Sequence, residues 1–332
     1  MRSVVITRHG PPEVLEVQER PDPRPGYGEV LIDVRASGIN FADLMARLGF
    51  YPDAPKPPCV VGYEVSGTVA ALGEGTGDRF SVGDRIAAPV RFGGYAERVV
   101  AAASSAFVLP EQLSFEQGAA IPVNYATAWE GIVRAGNVQP GERVLIHSAG
   151  GGVGIAATQL AKRAGAEVWG TASPAKHDAI RGFGVDHPVD YTSRGWERGL
   201  PKLDLVMDAV GGASFRRSYK LLRAGGRLVC FGASAVVSGS DRNVLAAART
   251  AVQMPWFSVF RQMSSSRSVI GLNALTLWDE HGADRWVGPL TELIADGTIR
   301  PVVAEVFTFD RAPDAHRFIS ERRNVGKVLL TP

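Results

Sequence analysis

Cysteine is scarce: Cys59 and Cys230 are the only two in 332 residues. Two thiols supply neither a disulfide framework nor a finger-like metal spacing. The six histidines, at positions 9, 147, 177, 187, 281 and 316, are scattered and form no HxxxH pair. Long apolar runs are also missing, which argues against a membrane-spanning helix. Met1-Arg2-Ser3-Val4 leads into a strand-like run without a signal-peptide core. No charge of one sign dominates. The net charge of +2 gives no general reason to expect nucleic acid as a partner. Internal repeats and low-complexity segments are absent too. What remains is a globular chain long enough for about two domains, expected in a reducing cytoplasm.

Glycine is abundant in one informative place. Val144-Leu145-Ile146 runs through His147-Ser148-Ala149 into Gly150-Gly151-Gly152-Val153-Gly154. Beyond the glycines, Val153, Ala157, Leu160, Ala161 and Ala164 recur at helical spacing, and Gly165 closes the pattern. Strand, tight turn and helix in that order open a dinucleotide-binding βαβ unit. In the GxGxxG register Ala149 takes the first position, and Gly151 and Gly154 follow. The glycines let the backbone turn sharply and let a pyrophosphate approach the first N–H groups of the helix. Ala149, Gly150, Gly151, Gly152, Val153 and Gly154 are therefore candidate cofactor-binding residues. A glycine-rich turn alone also fits an ordinary turn; the strand before it and the helix after it favour the nucleotide.

Residues 1–123 read mainly as β. Val4–Thr7, Val30–Val34 and Val65–Val69 are strand-sized and are separated by Pro- and Gly-rich stretches. Their spacing suggests an irregular β-barrel. Ser114-Phe115-Glu116-Gln117 has the form of a capping box opening a helix, and a second helix is expected over Thr127–Val133. From residue 143 strands and helices alternate. Strands are expected at Glu167–Gly170, His187–Tyr191, Leu203–Asp208, Arg227–Phe231 and Ser268–Leu272, which predicts a doubly wound parallel sheet. The fold class is thus α/β, a β-barrel domain joined to a parallel-sheet domain. The expected division is 1–123 for the first domain and 124–273 for the nucleotide domain. Residues 274–332 are expected to return and complete the first.

The end of the second strand of the parallel sheet bears on the choice of cofactor. NAD binders usually place an acid there for the ribose 2′-hydroxyl. Gly170-Thr171-Ala172-Ser173 contains none. A 2′-phosphate would meet no repulsion, and Ser173, Lys176 and Tyr191 offer it a hydroxyl, an ammonium and a phenol. The plainer alternative makes Ser173 a helix cap and Lys176 a solvated lysine. With the missing acid and the glycine turn together, the reading is NADP(H).

Taken together, Ser37-Gly38-Ile39-Asn40-Phe41-Ala42-Asp43-Leu44-Met45-Ala46-Arg47, Val123–Ala128, Gly170–Ser173, Lys176-His177, Gly184–Tyr191 and Asn324–Leu330 resemble the medium-chain dehydrogenase/reductase superfamily. Within it, the chain is similar to the zinc-independent quinone oxidoreductase group and its synaptic vesicle membrane protein (vesicle amine transport protein) branch. The resemblance spans nearly the whole chain. It implies a GroES-like β-barrel built from both termini, a central Rossmann domain and a homodimer.

Zinc alcohol dehydrogenases of the superfamily carry a cysteine ligand where this sequence has Asn40 and a histidine where it has Tyr63. An amide and a phenol are poor tetrahedral zinc ligands, so no metal is expected. Glu64 persists beside them and reads first as structural. Without a Lewis acid, alcohol oxidation is hard, whereas quinones and α,β-unsaturated carbonyls accept hydride directly at carbon. Asn40 and Tyr51 are the candidate groups nearest such an acceptor. Asn40 follows from the lost ligand; Tyr51 matches a tyrosine of related quinone reductases. A turn role for Asn40 and a packing role for Tyr51 stand beside these readings. The resemblance further implies Thr127, Gly211, Phe231, Gly232 and Asn324 on the nicotinamide side. The expected partner is a small-molecule quinone or enone. Two further functions stay open: an enoyl reductase of a biosynthetic pathway, and a lipid- or membrane-associating NADPH binder with little turnover. Residues 251–260, with Trp256, Phe257 and Phe260 flanked by Arg249 and Arg261, fit a peripheral membrane anchor, a dimer contact or a cleft cover.

Overall fold

The computed structural model describes every residue except Ser238. Seven strands form in the N-terminal part. They are β1 (Arg2–Ile6), β2 (Leu15–Glu19), β3 (Glu29–Ile39), β4 (Glu64–Leu72), β5 (Arg85–Pro89), β6 (Arg98–Ala102) and β7 (Phe107–Val108). Six more follow: β8 (Arg143–Ile146), β9 (Glu167–Ala172), β10 (His187–Asp190), β11 (Leu203–Asp208), β12 (Leu222–Cys230) and β13 (Ser268–Gly271). The chain ends with β14 (Val303–Thr308) and β15 (Lys327–Thr331).

The long strand β3 organises the first sheet. It pairs antiparallel with β4, with β6 and with β15, so the last strand of the chain lies against one of the first. The sheet order is β14-β15-β3-β4-β5-β7, with β14 parallel to β15. Its interior is apolar: Val30, Ile32, Val34, Val65, Val69, Ile86 and Ala88 are buried in one cluster.

The second sheet has the order β10-β9-β8-β11-β12-β13, parallel throughout. Numbered within this sheet alone, that is 3-2-1-4-5-6, the order of the dinucleotide-binding Rossmann fold. Strand β8 is central and buried over Val144–Ile146, as expected of a strand covered by helices on both faces. Ligands of such sheets bind beyond the carboxyl ends of the strands, where the strand order reverses.

Four helices frame the groove between the sheets: α1 (Phe41–Leu48), α2 (Phe115–Ala119), α3 (Pro122–Ala128) and α4 (Gly152–Arg163). Ser114 caps α2 as the capping box predicts, accepting from the Gln117 N–H at 3.2 Å. Helix α3 begins five residues before the expected Thr127. Pro122 in its first turn sets a helical φ and has no N–H to leave unpaired. The chain then widens into a π-helix over Trp129–Arg134.

The segment after residue 273 is divided. Ala283, Trp286, Leu290, Leu293, Ile294 and Ile299 belong to a core that holds Val144, Ile146 and Leu160 of the parallel sheet and its first helix together with Ala87 and Phe107 of the first sheet. β14, the helix Ala312–Ser320 and β15 join the first sheet and its core. The long apolar stretch 241–266 resolves into two short helices, Val244–Val252 and Val259–Ser265, with Pro255 between them.

Candidate active site

Strand β3 ends at Ile39, and Asn40 turns the chain into α1 with extended backbone angles (φ −111°, ψ 156°). Its backbone N–H donates to Asp43 Oδ2 at 2.7 Å, one half of a capping box. The Asn40 side chain is engaged elsewhere. Its Nδ2 donates to Glu64 Oε1 at 3.1 Å, and its Oδ1 accepts from Lys327 Nζ at 2.7 Å. Lys327 also pairs with Glu64, and the two side chains are 3% and 0% exposed. The other Glu64 oxygen accepts the Val123 N–H at 2.7 Å. An amide, a carboxylate and an ammonium therefore form one closed, buried set of hydrogen bonds. Gly38 makes room for it: a Cβ there would lie 2.6 Å from Glu64 Oε1 and 2.7 Å from Lys327 Cε.

Asp43 is fully buried and accepts three bonds: from the Asn40 N–H, from the Gly62 N–H at 3.0 Å and from the Tyr95 hydroxyl at 2.9 Å. Burial pushes its carboxyl up to about 7, while these donors pull the other way. The tie from Asn40 through Asp43 to Tyr95 fixes where the Asn40 side chain starts.

Three rings pack on one another. Tyr63 stands edge-on to Tyr51 with centroids 6.3 Å apart, and its ring is 5.2 Å from Phe92. Burial pushes the Tyr51 hydroxyl up to about 12, with Asp53 adding to the effect. Asn273 Nδ2 donates to Asp53 at 3.3 Å, Arg91 pairs with Asp279, and the Arg242 guanidinium lies 5.7 Å from the Phe50 ring centroid. These three contacts tie the Phe50–Asp53 loop and Arg91 to the parallel-sheet side.

Across the groove lies the glycine turn. Ser148 has a positive φ of 56°, which turns the chain sharply after β8. The Ala149 N–H donates to Thr171 O at 3.1 Å, and the Gly326 N–H donates to Gly150 O at 2.9 Å. The turn is thus held by β9 on one side and the C-terminal segment on the other. A Cβ on Gly152 would lie 2.5 Å from Asn124 Nδ2, so α4 reaches α3 only as glycine. The N–H groups of Gly152, Val153 and Gly154 form the first turn of α4, where no partner exists within the helix. Backbone shape and donors here fit a pyrophosphate.

The remaining sequence-derived candidates take varied places. The Thr171 hydroxyl lies 3.2 Å from both the Ser148 N–H nitrogen and His147 Nδ1, within a buried network. Ser173 opens the short turn Pro174–Lys176 and makes no side-chain cap bond. Lys176 Nζ donates at 2.6 Å to the carbonyls of both Arg322 and Asn324. Burial and the neighbouring Arg322 lower its affinity for a proton. Asn324 folds back onto Gly326 O at 3.0 Å. Tyr191 is exposed at the end of β10, and Thr127 is buried in α3. The Gly211 N–H lies 3.4 Å from Asp208 Oδ1, and the Phe231 N–H donates to Asp208 O at 3.1 Å, with Gly232 packed on Ala209. These last three line the ends of β11 and β12.

Sequence reasoning did not reach Asp43, Lys327, Asn124 or Arg322 as members of the site. The N-x-x-D spacing of Asn40 and Asp43 is a local capping signal that could have found Asp43. Lys327 and Arg322 are brought in by the return of the chain alone.

Residues 26–111 match the alcohol dehydrogenase GroES-like domain family, and residues 183–330 match the zinc-binding dehydrogenase family. The rat synaptic vesicle membrane protein VAT-1 homolog is 38% identical over 341 residues, covering 100% of this chain and 84% of the relative. The chain belongs to the medium-chain dehydrogenase/reductase family, among the VAT-1 homologues. It is an oxidoreductase of the quinone oxidoreductase type. The Escherichia coli quinone oxidoreductase, solved as a complex with NADPH, superposes with a TM-score of 0.86 at 28% identity and covers 100% of both chains. The CurK enoyl reductase superposes equally well, with a TM-score of 0.86 at 25% identity over 99% of this chain and 98% of the other.

Proposed function

We propose that the protein transfers hydride from NADPH to a quinone or an α,β-unsaturated carbonyl, without a metal. The carrying observation is the Asn40–Glu64–Lys327 set. It joins Asn40, which by the resemblance stands where zinc members of the family carry a cysteine ligand, to a carboxylate and an ammonium. A set of amide, carboxylate and ammonium, each already paired with another, does not suit tetrahedral zinc.

When bound, NADPH supplies the hydride; one proton from solvent completes reduction of a quinone to a hydroquinone. The chain does the rest. The first turn of α4 holds the pyrophosphate, and Ser173, Lys176 and Tyr191 face the 2′-phosphate. Thr127, Gly211, Phe231, Gly232 and Asn324 shape the nicotinamide end. Asn40 and Tyr51 orient the acceptor, and the Phe50–Asp53 loop and Arg91, tied across the groove, exclude water. The division into a catalytic part made of both termini and a central cofactor part serves this arrangement.

The test is NADPH oxidation with a panel of 1,4-quinones and enals, with zinc content measured on the same preparation. Steady oxidation at substoichiometric zinc is expected. Stoichiometric zinc, or no oxidation with any acceptor, overturns the proposal. The likeness to CurK favours one second reading, an enoyl reductase; faster turnover of an enoyl thioester than of any quinone would establish it.

We further propose a cytoplasmic homodimer. Its support is the exposed row Leu245, Val252, Trp256, Val259, Phe260 and Met263, next to the sheet-edge strand β13. Among the described residues no helix is long and apolar enough to cross a membrane. Flotation with liposomes tests the competing lipid contact.

A further inference from the structure

Tyr63 entered above only as the residue standing where a zinc ligand is lost. Its surroundings give it a task of its own. The residue is 4% exposed, and its hydroxyl is buried with no hydrogen-bond partner among the described residues. Buried hydroxyls nearly always have one, and an orphan calls for an explanation. The ring is held on both sides, edge-on to Tyr51 and tilted against Phe92, so the hydroxyl cannot swing freely to find a partner. The backbone is fixed as well. The Val90 N–H donates to Tyr63 O at 2.8 Å, and the preceding Gly62, at φ +99°, packs its backbone against Tyr95. Its ring touches that of Tyr51, the second group assigned to the acceptor, and its sequence neighbour Glu64 joins Asn40 and Lys327.

We infer that the Tyr63 hydroxyl is the hydrogen-bond donor to the acceptor's carbonyl oxygen, an inference that rests on the reductase reading above. Tyr51, the more accessible of the two phenols, stands edge-on beside it. The donor keeps its proton. Burial and the nearby Asp43 hold that proton on the phenol far above neutral pH. The step therefore balances simply: hydride adds to the acceptor, negative charge grows on its oxygen, Tyr63 donates a hydrogen bond to it, and a solvent proton neutralises it. Tyr63 loses nothing and needs no regeneration.

The test compares wild type with Tyr63→Phe and Tyr51→Phe, using a 1,4-quinone and an enal as probes. Tyr63→Phe keeps the ring and removes only an unpaired oxygen. It is expected to keep or raise Tm and to leave NADPH affinity by calorimetry unchanged. It is expected to lower kcat by about tenfold to a hundredfold. A purely structural tyrosine would leave kcat unchanged. Equal kcat in wild type and Tyr63→Phe overturns the inference and leaves the reductase reading standing. No turnover in wild type overturns both. Loss of kcat in Tyr51→Phe alone assigns the donor to Tyr51 and also overturns it.

Discussion

Lys327 Nζ donates to Asn40 Oδ1 at 2.7 Å, joining residues 287 positions apart. The bond exists because β15 lies against β3, Val328 opposite Ile39, so the last strand delivers its first residue to the start of α1. The site on the N-terminal part is thus incomplete until the C-terminal strand has docked.

That dependence gives the first prediction. Lys327→Met leaves the Glu64 carboxylate buried beside an amide with no positive charge. Breaking a buried pair on one side costs about 3–5 kcal/mol. Chemical denaturation should show a loss of that order. Adding Glu64→Gln neutralises the orphan and keeps acceptors for the Val123 N–H, so stability should recover in large part while turnover stays low. A single substitution without measurable cost would mean that the ion pair is not buried as described.

The second prediction concerns the cofactor's 2′-phosphate. Lys176 Nζ is held by the carbonyls of Arg322 and Asn324 at 2.6 Å, which brings two cationic side chains, from separate parts of the chain, to the end of β9. Lys176→Ala and Arg322→Ala should each weaken NADPH binding about tenfold, roughly 1.4 kcal/mol, and leave NADH binding nearly unchanged. Calorimetry with both cofactors decides. Equal losses for NADPH and NADH would make Lys176 only a tether for the C-terminal segment.

Local signals explain how far sequence alone reached. The glycine turn, the strands and the Ser114 cap lie within a few residues of their own partners, and pattern shows them directly. The site is another matter. Asn40 stood out as a candidate because, by the resemblance, it occupies a position where zinc members of the family carry a metal ligand. Lys327 did not, because nothing in Val325-Gly326-Lys327 points to a partner near residue 40. Tyr63 read as a poor ligand because only the packing of Tyr51 and Phe92 around it reveals an unpaired hydroxyl.

The third prediction tests the exposed row. Trp256 is 98% exposed and Leu245 84%, unusual values for such large apolar side chains. If a second copy covers this face, Trp256→Ser with Phe260→Ser should convert a dimer to a monomer by light scattering. Helical content should be unchanged, since neither side chain belongs to an internal core. A dimer that survives both substitutions would place the interface elsewhere.

The last prediction follows from Asp43. Its carboxyl rises from the ordinary 3.8 to about 7 in the fold, chiefly through burial. Below about pH 4 both folded and unfolded chains hold this proton, and the group contributes no slope. Between about 4 and 7 the folded chain keeps the proton that the unfolded chain releases, so stability falls as pH rises. Above about 7 both forms are ionised and the slope ends. Asp43→Asn cannot titrate. It also turns an amide N–H toward donors that now meet an oxygen, so it should be less stable than wild type at every pH. The difference between the two denaturation curves, in which all other groups cancel, should be largest near pH 4, shrink up to about pH 7 and then stay constant. A difference that grows with pH instead would mean that the Asn40, Gly62 and Tyr95 bonds outweigh burial and hold Asp43 ionised throughout. The capping box at Asn40 would then rest on a permanent buried charge.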